Sequence, residues 1–169
     1  QTNANFSITV TDTEMPILLG LPQDISVFND PGQCGANVTW EVPTPWDNCE
    51  LVDFDGSHEP GAFFPKGTTE VTYLVMDGMG QVTTGSFDVS VDDDEAPQIS
   101  GMPADRTISA DAGLCSAIHS WTVPVPSDNC EVVSFIATHE PGEAFPVGVT
   151  QVSYTVIGSM GMTTTDQFS

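Results

Sequence analysis

The sequence predicts an all-β chain of two tandem antiparallel sandwiches, and three observations predict it. The chain repeats itself with one fixed period, its apolar residues alternate with polar ones, and no helical pattern interrupts the alternation. Trp40 returns as Trp121, Cys34 as Cys115, Cys49 as Cys130, His58 as His139, Tyr73 as Tyr154 and Phe87 as Phe168, each pair 81 positions apart. Alternation runs through Phe6-Ser7-Ile8-Thr9-Val10, Ile25-Ser26-Val27, Val71-Thr72-Tyr73-Leu74-Val75 and Phe87-Asp88-Val89-Ser90-Val91. Turn residues cluster between these runs, as in Asn29-Asp30-Pro31-Gly32, His58-Glu59-Pro60-Gly61 and Asp77-Gly78-Met79-Gly80. About seven short strands per copy, separated by such turns, make the pattern of an immunoglobulin- or fibronectin-III-like sandwich.

Taken in order, residues 1–11 read as the last strand of a preceding repeat or neighbouring unit, 12–92 as the first repeat and 93–169 as the second, its last strand incomplete. Two periods of 81 make 162 of the 169 residues, so Gln1–Ser7 fall on the same repeat positions as Thr163–Ser169, with Phe6 matching Phe168. The Phe6-to-Val10 strand is therefore expected to lie in the sandwich of a neighbour, joined head to tail, either along one polypeptide or by strand exchange between chains. Trp40 and Trp121 fall on the second strand, Tyr73 and Tyr154 on the penultimate one, and Phe87 and Phe168 on the last. Their recurrence within alternating strands marks them as core and not as a ligand platform.

Repeats of this size leave much of their surface wet, so covalent support is expected. Four cysteines at matching spacings, without a CxxC pair, fit disulfides formed in an oxidising, extracellular compartment. The tandem pattern favours pairing within each copy, Cys34 with Cys49 and Cys115 with Cys130. The alternative, a bridge crossing between copies, needs two modules to share a face.

Twenty-four carboxylates against Lys66 and Arg106 give a formal charge of −22, which excludes nucleic acid and anionic membrane surfaces as partners. No apolar run is long enough to insert into a membrane.

The succession Pro22-x-Asp24-Ile25, Asp30-Pro31-Gly32-Gln33-Cys34, Val38-Thr39-Trp40, Pro43-x-x-Trp46-Asp47-Asn48-Cys49, Phe64-Pro65-x-Gly67-Thr68-Thr69 and Val71-Thr72-Tyr73 resembles the hyalin repeat, or HYR domain, and the second copy follows the same phrases. The resemblance covers nearly the whole chain. It implies an immunoglobulin-like module of extracellular adhesion and matrix proteins, without catalytic residues. It also implies a second cysteine pair joining the first and last strands, but here Gly20 or Leu21 and Gly85 occupy that neighbourhood.

The acidic junction Asp92-Asp93-Asp94-Glu95, with its weaker echo Asp12-Thr13-Glu14, is the strongest candidate site. Clustered carboxylates before a strand-opening proline suit Ca²⁺, which takes six to eight oxygens in flexible geometry. In an immunoglobulin-like layout Asp47, Asn48 and Asp77 fall near Asp12 and Glu14, while Asp128 and Asn129 fall near Asp93 and Glu95. The far-end loop bearing Asp30 adds an oxygen across the junction. His58-Glu59 and His139-Glu140 lack the further ligands that zinc requires, and no nucleophile is paired with a base.

Together these features predict a non-catalytic structural or adhesive module of the cell surface, arrayed head to tail with calcium-stiffened joints. The alternative is a module whose exposed loops bind a cell-surface glycan or protein.

Overall fold

In the computed structural model, which describes residues 6–169, the described residues form only strands, turns and irregular segments. The first repeat supplies β1 (Ile17–Leu19), β2 (Ile25–Phe28), β3 (Gly35–Asn37), β4 (Thr44–Trp46), β5 (Leu51–Gly56), β6 (Phe63–Pro65), β7 (Gly67–Asp77) and β8 (Val82–Asp92). The second supplies β9 (Gln98–Ser100), β10 (Ser116–Ile118), β11 (Val125–Ser127), β12 (Val132–Ala137), β13 (Ala144–Pro146), β14 (Val152–Gly158) and β15 (Thr163–Phe168).

Two compact units result, and they do not coincide with the sequence repeats. The first comprises residues up to Val27 and Ala36–Val91; the second comprises Phe28–Gly35 and Asp92–Ser169. The turn segment between β2 and β3 thus folds with the second unit.

In the first unit β2, β8, β7 and β5 lie in that order in one sheet, and the pairs β1–β4 and β3–β6 complete the sandwich. β7 and β8 run antiparallel over their full length, with Val71 opposite Phe87 and Tyr73 opposite Gly85. Their alternation is the cause of the core: Val71, Tyr73, Val75, Phe87, Val89 and Val91 all point inward and are buried. Ala36, Val38 and Phe64 close the core from the β3–β6 side.

Trp40 lies just past β3, outside any strand, where its ring meets Phe64 at 5.9 Å and Phe87 at 5.4 Å. Its indole N–H donates to the Tyr73 hydroxyl at 2.7 Å, so neither polar atom is buried without a partner. Gly85 sits where the family's additional cysteine pair was expected. A Cβ there would stand 3.0 Å from Leu21 and 3.1 Å from Leu18, so leucine packing replaces the staple.

The second unit repeats this plan. Trp121 donates to Tyr154 at 2.7 Å and meets Phe168 at 5.3 Å, and its sheets are β12–β14–β15, β9–β11 and β10–β13. It differs in that no strand among the described residues matches β2, and β14 begins at Val152 although β7 begins at Gly67. A groove of about 470 Å³ is lined by Thr107, Ile108, Trp121, Phe145, Val149 and Phe168 among others.

Residues 1–5 of the expected N-terminal strand lie outside the described residues. Residues 6–11 carry no strand, and Phe6, Ile8 and Val10 are 87 %, 80 % and 90 % exposed.

Adjacent residues on β6 test the sandwich. Phe64 is 1 % exposed and Phe63 47 %, so Phe64→Ala should cost about 3–5 kcal/mol in urea unfolding and Phe63→Ala under about 1 kcal/mol. Equal losses would show that β6 does not face the core as described.

Candidate functional site

The segment Phe28–Gly35 is shaped locally before it meets anything else. The Gln33 N–H donates to the Asp30 carbonyl at 2.9 Å and the Asp30 N–H to the Gly35 carbonyl at 2.7 Å. Gly32 turns the chain at φ 72°, a conformation that a side chain disfavours. Within the second unit this loop then meets the acidic run Asp92–Glu95. The Asn29 N–H donates to the Asp92 carbonyl at 2.9 Å. The Asn29 side chain donates to Glu95 Oε1 at 3.1 Å and accepts from the Asp94 N–H at 2.9 Å. The Gly32 N–H also donates to Glu95 Oε1, and Asn129 Nδ2 donates to the Gln33 carbonyl at 3.0 Å.

A disulfide closes the contact. Cys34 bonds Cys130, 96 residues away, with their Cα atoms 4.7 Å apart. This corrects the expected pairing of Cys34 with Cys49 and Cys115 with Cys130: Cys49 and Cys115 are exposed free thiols. The physical reason is the exchange of the turn segment. Cys34 folds with the second unit and Cys49 with the first, so Cys34 and Cys130 lie within one compact unit and Cys49 does not.

The acidic residues divide into held and unsatisfied groups. Asp93 is buried, its Oδ1 accepting from the Glu95 N–H and Asn129 Nδ2, both at 3.2 Å, and its Oδ2 from the Ser159 hydroxyl at 2.9 Å. Asp128 Oδ1 accepts from the Cys130 and Glu131 N–H groups at 2.9 Å, but Asp128 Oδ2 and Asn129 Oδ1 are buried without a hydrogen-bond partner. Glu95, Asp128 and Asn129 share a hollow of about 230 Å³ with Gly32, Ala96, Gln98 and Ser127. Asp92 and Asp94 are exposed.

In the first unit Asp12, Asp47 and Cys49 bring one ligand atom each within 4.8 Å of one another. Asp12 Oδ2 is buried without a hydrogen-bond partner, and Glu14 and Asn48 are exposed. Asp77 is used up by its own turn. Its Oδ1 accepts from the Met79 and Gln81 N–H groups, and its Oδ2 from the Gln81 amide at 2.9 Å. Asp30 sits in the turn with its main chain engaged as above. The His58 ring packs tilted against Phe64, centroids 5.1 Å apart, beside the Ser57 hydroxyl, a local structural role.

A family model of the HYR domain matches residues 11–91 and again 92–169. The chain belongs to the HYR domain family. Hyalin of Lytechinus variegatus is 35 % identical over 97 % of this HYR chain and 32 % of its own length, and hyalin of Strongylocentrotus purpuratus is 34 % identical over 88 % and 13 %. A sushi, von Willebrand factor type A, EGF and pentraxin domain-containing protein of Rattus norvegicus is 33 % identical over 89 % of the chain and 4 % of its own length. The HYR pair thus spans about a third or less of the curated relatives it matches. Among solved structures, the human desmocollin-1 ectodomain aligns over 94 % of this chain and 37 % of its own at 14 % identity and a TM-score of 0.30, too low a similarity to argue from.

The thiol of Cys49 is held above the usual cysteine range. Its hydrogen bond to Asp12 is the largest cause, followed by desolvation and by repulsion from Asp12, Asp47 and Glu14. Because the thiolate is the nucleophile, a raised pKa lowers the reactive fraction at a given pH. Alkylation of Cys49 should therefore accelerate only at pH above the usual cysteine range, and Asp12→Asn should move that profile to lower pH. An unchanged profile in the variant removes Asp12 as the cause. Chain-entropy reasoning assigns the Cys34–Cys130 closure about 4–5 kcal/mol, so reduction should lower the urea midpoint of the second unit. An unchanged midpoint contradicts the linkage.

Proposed function

We propose that this chain is a non-catalytic, extracellular adhesion-type repeat module whose repeats are fastened head to tail into a longer array, each joint bound by calcium. The observation that carries the proposal is the Cys34–Cys130 bond, which joins a cysteine of the first sequence repeat to one of the second. The relatives support the same reading, since hyalin and the sushi- and pentraxin-containing protein carry long stretches beyond the part this chain matches. The disulfide and the net charge of −22 support an extracellular setting.

Calcium suits the residues present. Asp128 Oδ2 and Asn129 Oδ1 are buried acceptors without a hydrogen, and two such atoms cost free energy that a bound cation recovers. Asp128, Asn129 and Glu95, with Asp93 positioned by Ser159 and the Glu95 N–H, would hold the ion in the second unit. Asp12 and Asp47 would do so in the first, while Asp77, saturated by Gln81 and Met79, would orient the turn. The ion would supply charge neutralisation, allowing a run of four consecutive carboxylates to pack against another loop.

The recurrence of one pattern in Phe6-Ser7-Ile8-Thr9-Val10 and Phe87-Asp88-Val89-Ser90-Val91 at a spacing of 81 supports the head-to-tail arrangement, and a heterologous contact of this kind repeats without closing.

Calcium at saturating concentration should raise the melting temperature by about 5–10 °C over chelator, by mass action on the folded state. Asp128→Asn should remove most of the gain, and sodium chloride at equal ionic strength should not reproduce it. Identical melting with calcium and chelator defeats the calcium part of the proposal.

A further inference from the structure

The bonded pair and the free pair of cysteines occupy the same repeat positions. Cys115 is Cys34 moved on by 81, and Cys49 is Cys130 moved back by 81. Each free thiol also sits in the local structure of its bonded counterpart. The turn before Cys34 has its equivalent before Cys115, where the Leu114 N–H donates to the Asp111 carbonyl and the Asp111 N–H to the Ser116 carbonyl, both at 2.9 Å. Gly113 adopts φ 79° as Gly32 adopts 72°. On the other side, the Cys49 N–H donates to Asp47 Oδ1 at 2.8 Å, as the Cys130 N–H does to Asp128 Oδ1 at 2.9 Å.

The receiving surface is duplicated as well. In the second unit the incoming loop is held by Glu95, which accepts from the Gly32 N–H, and by Asn129, which donates to the Gln33 carbonyl. The equivalent residues of the first unit, Glu14 and Asn48, are exposed, with Asp12 and Asp47 beside Cys49. We propose that Cys115 and Cys49 are the two halves of a second staple identical in kind to Cys34–Cys130, with Cys115 of one copy bonding Cys49 of the next. The Gly113 N–H then meets the Glu14 carboxylate and the Leu114 carbonyl meets the Asn48 amide.

One contact is lost in this joint. Asn29, which both donates to Glu95 and accepts from the Asp94 N–H, is replaced by Ala110. The hydrogen-bonded clamp is weaker there, and the covalent bond carries more of the attachment. Its formation removes two protons and two electrons from the two thiols. A disulfide oxidant such as oxidised glutathione takes them up and is released as two thiols. One thiolate attacks the oxidant to give a mixed disulfide, and the other thiolate then displaces glutathione from it. The inference rests on the array reading above. The partner is a further repeat of this pattern, either the next in one polypeptide or that of a second chain, since both present the same atoms.

The test uses single variants of the whole chain. Cys49→Ser and Cys115→Ser, each incubated alone in a glutathione redox buffer, should stay monomeric on non-reducing gels. Mixed, they should give a dimer at least ten-fold above either alone, and peptide mapping should find Cys115 linked to Cys49 with Cys34–Cys130 intact. The unmodified chain should form a ladder. Where the repeats run on in one polypeptide, the same bond should appear in its peptide map and reduction should release no separate chain. Dimers of Cys49→Ser alone, a bond between Cys49 and Cys115 of one chain, or a mixture that stays monomeric would each overturn the staple. Sedimentation of the Cys49→Ser/Cys115→Ser double variant separates the two levels: concentration-dependent association without the bond keeps the array and drops the staple, and a strict monomer drops both.

Discussion

A turn segment such as Phe28–Gly35 has little apolar surface to bury, and ordering its backbone opposes folding by about 1–2 kcal/mol per residue. Its place in the second unit therefore depends on fastening. The fastening is the Cys34–Cys130 bond together with the hydrogen bonds of Asn29, Gly32 and Gln33 to Glu95, Asp94 and Asn129. The rest follows from this constraint. Because the segment departs to the second unit, Cys34 cannot serve Cys49, and the boundaries of the compact units depart from those of the sequence repeats.

The charge of the chain explains how the fastening is built. With 24 carboxylates and only Lys66 and Arg106 as bases, ion pairing cannot satisfy the acidic run. Asp93 is instead held by neutral donors, the Glu95 N–H, Asn129 and Ser159, and Glu95 by Asn29 and the Gly32 N–H. Neutral donors stabilise carboxylates without cancelling their charge, which leaves a field that attracts a hard cation. Asp128 and Asn129, whose Oδ2 and Oδ1 are buried without a hydrogen-bond partner, line the hollow beside Glu95.

The fold was legible in the sequence because its signals are local. Alternation along Val71–Val75 and Phe87–Val91 specifies which side chains face inward, and the structure buries those residues. The recurrence of Trp40, Tyr73 and Phe87 marks a core motif, which the Trp40–Tyr73 hydrogen bond and its copy in the second unit explain. The disulfide was not legible, because equal spacing within each copy is also equal spacing between copies. Cys34 to Cys49 and Cys34 to Cys130 fit one repeating pattern equally well. The missing information is which unit the turn joins. A clue was present: placing Asp30 across the junction carries Cys34, four residues on, across with it. Asp77 shows the converse, a carboxylate in a suggestive position whose oxygens its own turn consumes.

The central claim is that residues 28–35 share the fate of the second unit. Native-state amide exchange with rising denaturant reads this directly, because amides that open together report one cooperative unit. The Asn29 and Asp30 amides, hydrogen-bonded to Asp92 and Gly35, should exchange with the free energy and denaturant dependence of the β14 amides in the oxidised chain. After reduction of Cys34–Cys130 they should separate from β14 and exchange at lower cost. Exchange that follows the β7 amides of the first unit, or that is as fast as in an unstructured loop before reduction, would contradict the account.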